Sequence, residues 1–123
     1  MNYVTTTTFA TVGQQEITPG FQAGLIEVSV SPANGAAFQG VQHCFGWTDT
    51  TRKMCDFAYL NPANGRAISG KTTQKLLQLW GEDAMGNLVV ILEATLNSVS
   101  ATKVKFDIAV ANLNYQVSIK CQD

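Results

Sequence analysis

At 123 residues the chain has room for one domain with a core of its own, and a net charge of −1 leaves no basic footprint for nucleic acid or an anionic membrane surface. Charged residues make up 14%, well under the roughly 25% of an ordinary soluble domain, while the hydrophobic share of 46% is ordinary. A usual core under a thinly charged exterior points to surface that another copy or a larger assembly covers, the alternative being a monomer solubilised by neutral Thr, Asn and Gln side chains. No apolar run approaches the ~18–20 residues of a membrane span, and Met1-Asn2-Tyr3-Val4 with the four threonines after it lacks the regions of a signal peptide. Three cysteines, Cys44, Cys55 and Cys121, are too few and odd in number for a disulfide framework.

Residues 1–12 read as a Thr-rich strand with Tyr3 and Phe9 on one face and Val4, Ala10 and Val12 on the other. Gly13-Gln14-Gln15 reads as a turn. The stretch 16–30 opens on a Pro19-Gly20 turn and then alternates Ile26, Val28 and Val30 against Glu27 and Ser29, the pattern of a strand with one buried face. We expect the other strands to be added to it as hairpins. Pro32-Ala33-Asn34-Gly35 is a turn, and the same four residues recur at 62–65.

In the strand 41–47, Val41, His43, Phe45 and Trp47 share one face and Gln42, Cys44 and Gly46 the other. Thr48 to Thr51 turn the chain into 53–60, where Met54, Ala58 and Leu60 lie opposite Cys55, Phe57 and Tyr59. The stretch 71–81 fits a short helix capped by Thr73 and ended by Gly81, or a strand with Leu77 and Leu79 on one side. Its neighbours favour the strand, since an isolated helix of that length is marginal. Residues 82–87 form a hairpin loop. The stretch 88–96 is the most apolar in the chain: Leu88, Val90, Leu92, Ala94 and Leu96 on one face, Val89 and Ile91 on the other. A strand apolar on both faces is central or lies against a partner subunit. Residues 97–102 turn, and 104–108 and 115–121 alternate as one-faced strands. About eight short strands with closely spaced turns predict an all-β fold, a single antiparallel β-sandwich spanning 1–123.

No catalytic constellation emerges. His43 is the one histidine, and Cys44 beside it points to the opposite strand face, so the two do not ligate one metal ion; the period places His43 in the core or an interface. Glu82-Asp83 are adjacent loop carboxylates that point apart, whereas acid–base pairs converge across a cleft. A hairpin centred between Asp49 and Thr50 sets Cys44 directly across from Cys55. This pair is a candidate disulfide or, alternatively, two reduced thiols filling a core. Trp47, Tyr59 and Trp80 with Asn64 and Arg66 are candidates for a sugar-binding surface of stacking rings and polar loop groups, against the commoner use of such rings as core.

Ile17-Thr18-Pro19-Gly20-Phe21-Gln22 with Leu25-Ile26, then Phe45-Gly46-Trp47-Thr48-Asp49, then the hairpin 94–108 and the closing strand 115–121, resemble small β-sandwich modules of tailed-phage virion proteins. The sequence departs from that pattern at Ala23-Gly24 and at Ser100-Ala101-Thr102-Lys103-Val104. The resemblance implies a jelly-roll-like or H-type-lectin-like sandwich in a virion, assembled in the host cytoplasm. It also implies a homotrimer whose partners are itself and the major capsid protein or tail proteins. The expected role is a non-enzymatic capsid decoration (cement) or tail-accessory subunit, with no cofactor, no nucleic acid and no membrane partner; the alternative is a carbohydrate-binding module for a host glycan. Expected subunit-interface residues are Tyr3, Phe9, Val89 and Ile91.

Overall fold

A computed structural model describes residues 1–32 and 40–123, and in it ten antiparallel strands, with no helix among the described residues, form two sheets. They are β1 (Asn2–Thr7), β2 (Gly13–Ile17), β3 (Leu25–Pro32), β4 (Val41–Thr48), β5 (Lys53–Leu60), β6 (Ala67–Thr72), β7 (Leu77–Glu82), β8 (Leu88–Val99), β9 (Val104–Val110) and β10 (Tyr115–Gln122). One sheet has six strands in the order β1-β10-β3-β4-β5-β6, the other four in the order β2-β9-β8-β7. The fold is the expected all-β sandwich, with ten strands rather than eight.

The alternating strands explain the core. Ile26 and Val28 of β3, Val104, Phe106 and Ile108 of β9, and Val117, Ile119 and Cys121 of β10 all turn one face into the gap between the sheets and are buried. From β7 and β8 come Leu77, Leu79, Leu92 and Ala94. Phe9 and Phe106 meet with ring centroids 5.5 Å apart.

The two strands beyond the expected eight are β2, which forms where a turn was expected, and β6, which begins ahead of the expected strand over 71–81. The first 12 residues do not run as one strand. β1 stops at Thr7, and Phe9 then folds into the core, where its carbonyl accepts from Asn112 N at 3.0 Å. Gly13-Gln14-Gln15 is no turn; it opens β2, which pairs with β9 from Gly13↔Ile108 to Ile17↔Val104. The stretch 71–81 is likewise two strands in different sheets, parted by a turn at which Gln74 N donates to Thr72 Oγ1 at 3.1 Å. The strand reading over Leu77 and Leu79 holds there, and the helix does not form. β8 runs on to Val99, past the expected turn at 97. Of the first Pro-Ala-Asn-Gly turn, Pro32 is the last residue of β3 and the other three fall on positions 33–39, outside the described residues.

The faces of β4 are reversed from the apolar expectation. Gln42, Cys44, Gly46 and Thr48 are buried, whereas Val41, His43 and Phe45 are exposed and Trp47 is half-buried on the outer face. Gly46 shows why: a Cβ there would collide with the backbone carbonyl of Leu76, so β4 lies tight against the start of β7. His43 is therefore not in the core but stands exposed on the outer face of β4. Phe9 is also corrected, from subunit interface to core, being 1% exposed. Tyr3 and Ile91 are half-buried and pack against the core. Val89 is half-buried as well. Ile91 is the extra residue of a bulge, since Leu79 pairs with Leu92 and Trp80 with Val90, and its carbonyl accepts from Asn112 Nδ2 at 3.1 Å.

Candidate functional site

The candidate ligand residues divide between two places. Tyr59, Asn64 and Arg66 gather at the end of the sandwich where the β5–β6 and β7–β8 loops meet, around a residue expected to be plain solvated loop. Glu82 closes β7, and its Oε1 accepts from Tyr59 Oη at 2.8 Å and Asn61 Nδ2 at 2.9 Å, while Asn64 Nδ2 reaches its Oε2 at 3.1 Å. The loop is built to deliver these donors. Asn61 Oδ1 accepts from Ala63 N at 2.9 Å, Asn64 Oδ1 from Arg66 N at 2.9 Å, and Gly65 takes a φ of +72° that L side chains resist. Asp83 does the same for the facing loop, accepting from Met85 N and Asn87 N, each at 2.9 Å.

Electrostatics follow from this wiring. The Asn61 amide first, then Tyr59, Asn64 and the Arg66 guanidinium, hold the Glu82 carboxyl below its ordinary range. Loss of water around Tyr59, and then its bond to Glu82, push the phenol above its own. Beneath the cluster, Tyr115 Oη donates to Gln42 Oε1 at 2.9 Å and Gln42 Nε2 to the Trp80 carbonyl at 2.7 Å, a polar chain joining β10, β4 and β7 across the two sheets. Trp80 leans on Phe57, ring centroids 5.8 Å apart, and its indole N–H donates to Gln78 Oε1 at 3.1 Å.

Trp47 does not join them. It lies on the outer face of the six-stranded sheet, paired with Glu27 and Met54, while Tyr59 points inward from the neighbouring strand. Beside it, Arg52, Met54 and Thr73 line a depression of about 380 Å³. A single stacking surface of Trp47, Tyr59 and Trp80 is thus not formed.

The cysteines also differ from their expected geometry. β4 and β5 pair Cys44 with Phe57 and Gly46 with Cys55, so the hairpin centre is one residue later than expected and the two cysteines are diagonal rather than directly opposite. Their sulfurs still meet at 3.3 Å as free, buried thiols, and Gln78 N donates to Cys44 Sγ at 3.4 Å. Hydrogen bonding between the thiols raises Cys44 and lowers Cys55, because the retained proton on Cys44 supports a thiolate on Cys55. Burial alone pushes Cys121 up to about 11. Among the described residues, no group of three His, Cys, Asp or Glu side chains is placed to hold a metal ion.

The residues that sequence reasoning missed are Asn61 and Glu82. Their signal was present in the Tyr59-x-Asn61 spacing and in a carboxylate directly after an alternating strand, but the partners are 21 positions apart and join only through the sheet-to-sheet crossing.

Comparison with known proteins gives no matching family model and no matching curated protein. Among solved structures, the tailspike protein gp49 from Acinetobacter baumannii bacteriophage Fri1, a capsular polysaccharide depolymerase, is similar over 98% of this chain at 7% identity and a TM-score of 0.36. The chain spans 17% of that tailspike's length. A likeness of that degree carries no argument about what this chain does.

Proposed function

We propose that the chain is a non-enzymatic structural subunit of a tailed-phage particle, a capsid decoration or tail-accessory protein that works as a homo-oligomer on a larger surface. The observation that carries this reading is the use made of the polar end cluster. Tyr59, Asn61 and Asn64 direct their donors at Glu82 and so fasten one loop to the other, rather than holding those donors out to a ligand. A domain stiffened in this way, with 14% charged residues, suits many modest neutral contacts that add by repetition over a particle. The motif resemblance at 17–22 and 45–49 points the same way. Co-sedimentation with purified capsids and tails tests it: enrichment with either particle is expected, and a subunit that stays in the supernatant with both ends the reading.

One observation favours a second reading, a carbohydrate-binding module. Trp47 is half-buried on an outer face beside Arg52 and Thr73, an aromatic platform with polar neighbours. On a glycan array, binding that disappears in Trp47→Ala and persists in Trp80→Ala would identify this platform as the site.

A further inference from the structure

The two outer faces of the sandwich are unlike. On the four-stranded sheet they are polar: Lys75 Nζ pairs with Glu93 at 3.7 Å, Lys103 Nζ with Glu16 at 3.6 Å, and Asn97 Nδ2 donates to Asp107 at 3.0 Å. On the six-stranded sheet, Val4, Val41, Phe45 and Leu60 stand outward at 69%, 61%, 37% and 43% exposure. Val41 faces Leu60 across β4 and β5, and Val4 lies one β10 strand away from Glu27 of β3 in the row that continues to Trp47 and Met54. Single exposed aliphatic residues are ordinary; a set of them on one sheet face is a patch.

We infer that this outer face is where a second copy of the chain docks, sheet against sheet about a two-fold axis. The inference rests on the reading of the chain as a self-assembling subunit and names the surface that does it. Two features select a copy of itself over another partner. The first is charge. Glu27 and Lys120 are register neighbours on this face, and Asp56 lies 3.8 Å from Lys71, so the carboxylates and ammonium groups balance and two identical faces meet without net repulsion. A strongly acidic or basic partner would find no matching field there. The second is area. The six strands, four of eight residues and two of six, at about 4.8 Å spacing and about 3.3 Å rise give a face of about 700 Å². Two copies would bury about 1,400 Å², within the range for a stable specific interface. Paired sheets at about 10 Å separation would interdigitate these side chains as they do in a sandwich core.

Sedimentation velocity of the full chain from about 1 to 100 μM tests the inference, that span bracketing association of ordinary strength. Wild type should sediment as a dimer or a higher even-numbered assembly. Phe45→Glu should weaken self-association at least about tenfold, roughly 1.4 kcal/mol or more. The double variant Val41→Ser with Leu60→Ser, which adds no charge, should do the same with an unchanged circular dichroism spectrum. Met85→Asp, in the β7–β8 loop away from this face, should remain assembled. A monomeric wild type, a trimer, or assembly that survives in folded face variants overturns it. A monomeric wild type that still co-sediments with particles would remove this interface and leave the structural reading standing.

Discussion

Gly46 is the residue on which the contact between the sheets turns. A Cβ built there would strike the Leu76 carbonyl, and backbone cannot step aside as a side chain does. Gly46→Ala should therefore cost about 3 kcal/mol or more in urea unfolding, at the upper end for overpacking. Gly70→Ala makes the control. Its Cβ would meet only the Phe57 ring tip at 3.2 Å, which can give, and the loss should be about 1 kcal/mol or less. Equal losses at the two sites would mean that β4 is not held against Leu76. Thr50 shows local strain of another kind, with a φ of +73° in the β4–β5 turn. The turn is held around it, as Thr50 N donates to Thr48 Oγ1 at 3.1 Å and Arg52 N to Asp49 Oδ1 at 2.7 Å. The Arg52 backbone and guanidinium bonds to Asp49, with Thr51 N donating to its Oδ1 at 3.1 Å, keep that carboxyl low, at about 2.

Between elements, the fastening that matters is Glu82. Its folded-state pKa lies below the ordinary 4.5, so its contribution is complete above about 4.5 and is lost as pH falls through the lower folded value. Glu82→Gln keeps an oxygen for Tyr59 and Asn61 but meets Asn64 with a second amide. The variant should melt below wild type at pH 7, and the gap should close toward pH 3. Melting curves at the two pH values decide it, because other depressed carboxylates, Asp83 and Asp123 among them, cancel in the difference. A gap that stays constant would place the stabilisation elsewhere. At this scale too the limits of the sequence show. β3, β9 and β10 were legible because each pairs one apolar face with one polar face. β2 was not, because Gly13, Gln14 and Gln15 pair with β9 through backbone bonds that side-chain pattern does not record. β4 misled for the opposite reason: its larger apolar side chains face out, and the buried face was chosen by how closely β7 approaches. The Tyr59, Asn64 and Arg66 part of the candidate site was readable from its turn residues. The split from Trp47 was not, since it depends on which side of β4 faces inward.

For the molecule as a whole, the buried thiols report whether the sandwich is closed. Cys44, Cys55 and Cys121 are all buried, so the native protein should be silent to a thiol reagent over minutes, and denaturant should release three thiols. Release of only one would reveal a Cys44–Cys55 bridge, and fast native reaction would reveal an open core. The position of β10 carries a further consequence. It separates β1 from β3, although it is the last of the ten strands in chain order. During synthesis β3 to β6 can zip together as they leave the ribosome, and β7 to β9 can follow. Neither step gives β1 a neighbour or covers the free edge of β3. The nascent chain must therefore carry an unfinished sheet until the eight residues Tyr115–Gln122 arrive and lock both sides at once. Translation speed and chaperone attendance, rather than any local signal in the early strands, would then govern how much of the newly made protein escapes aggregation.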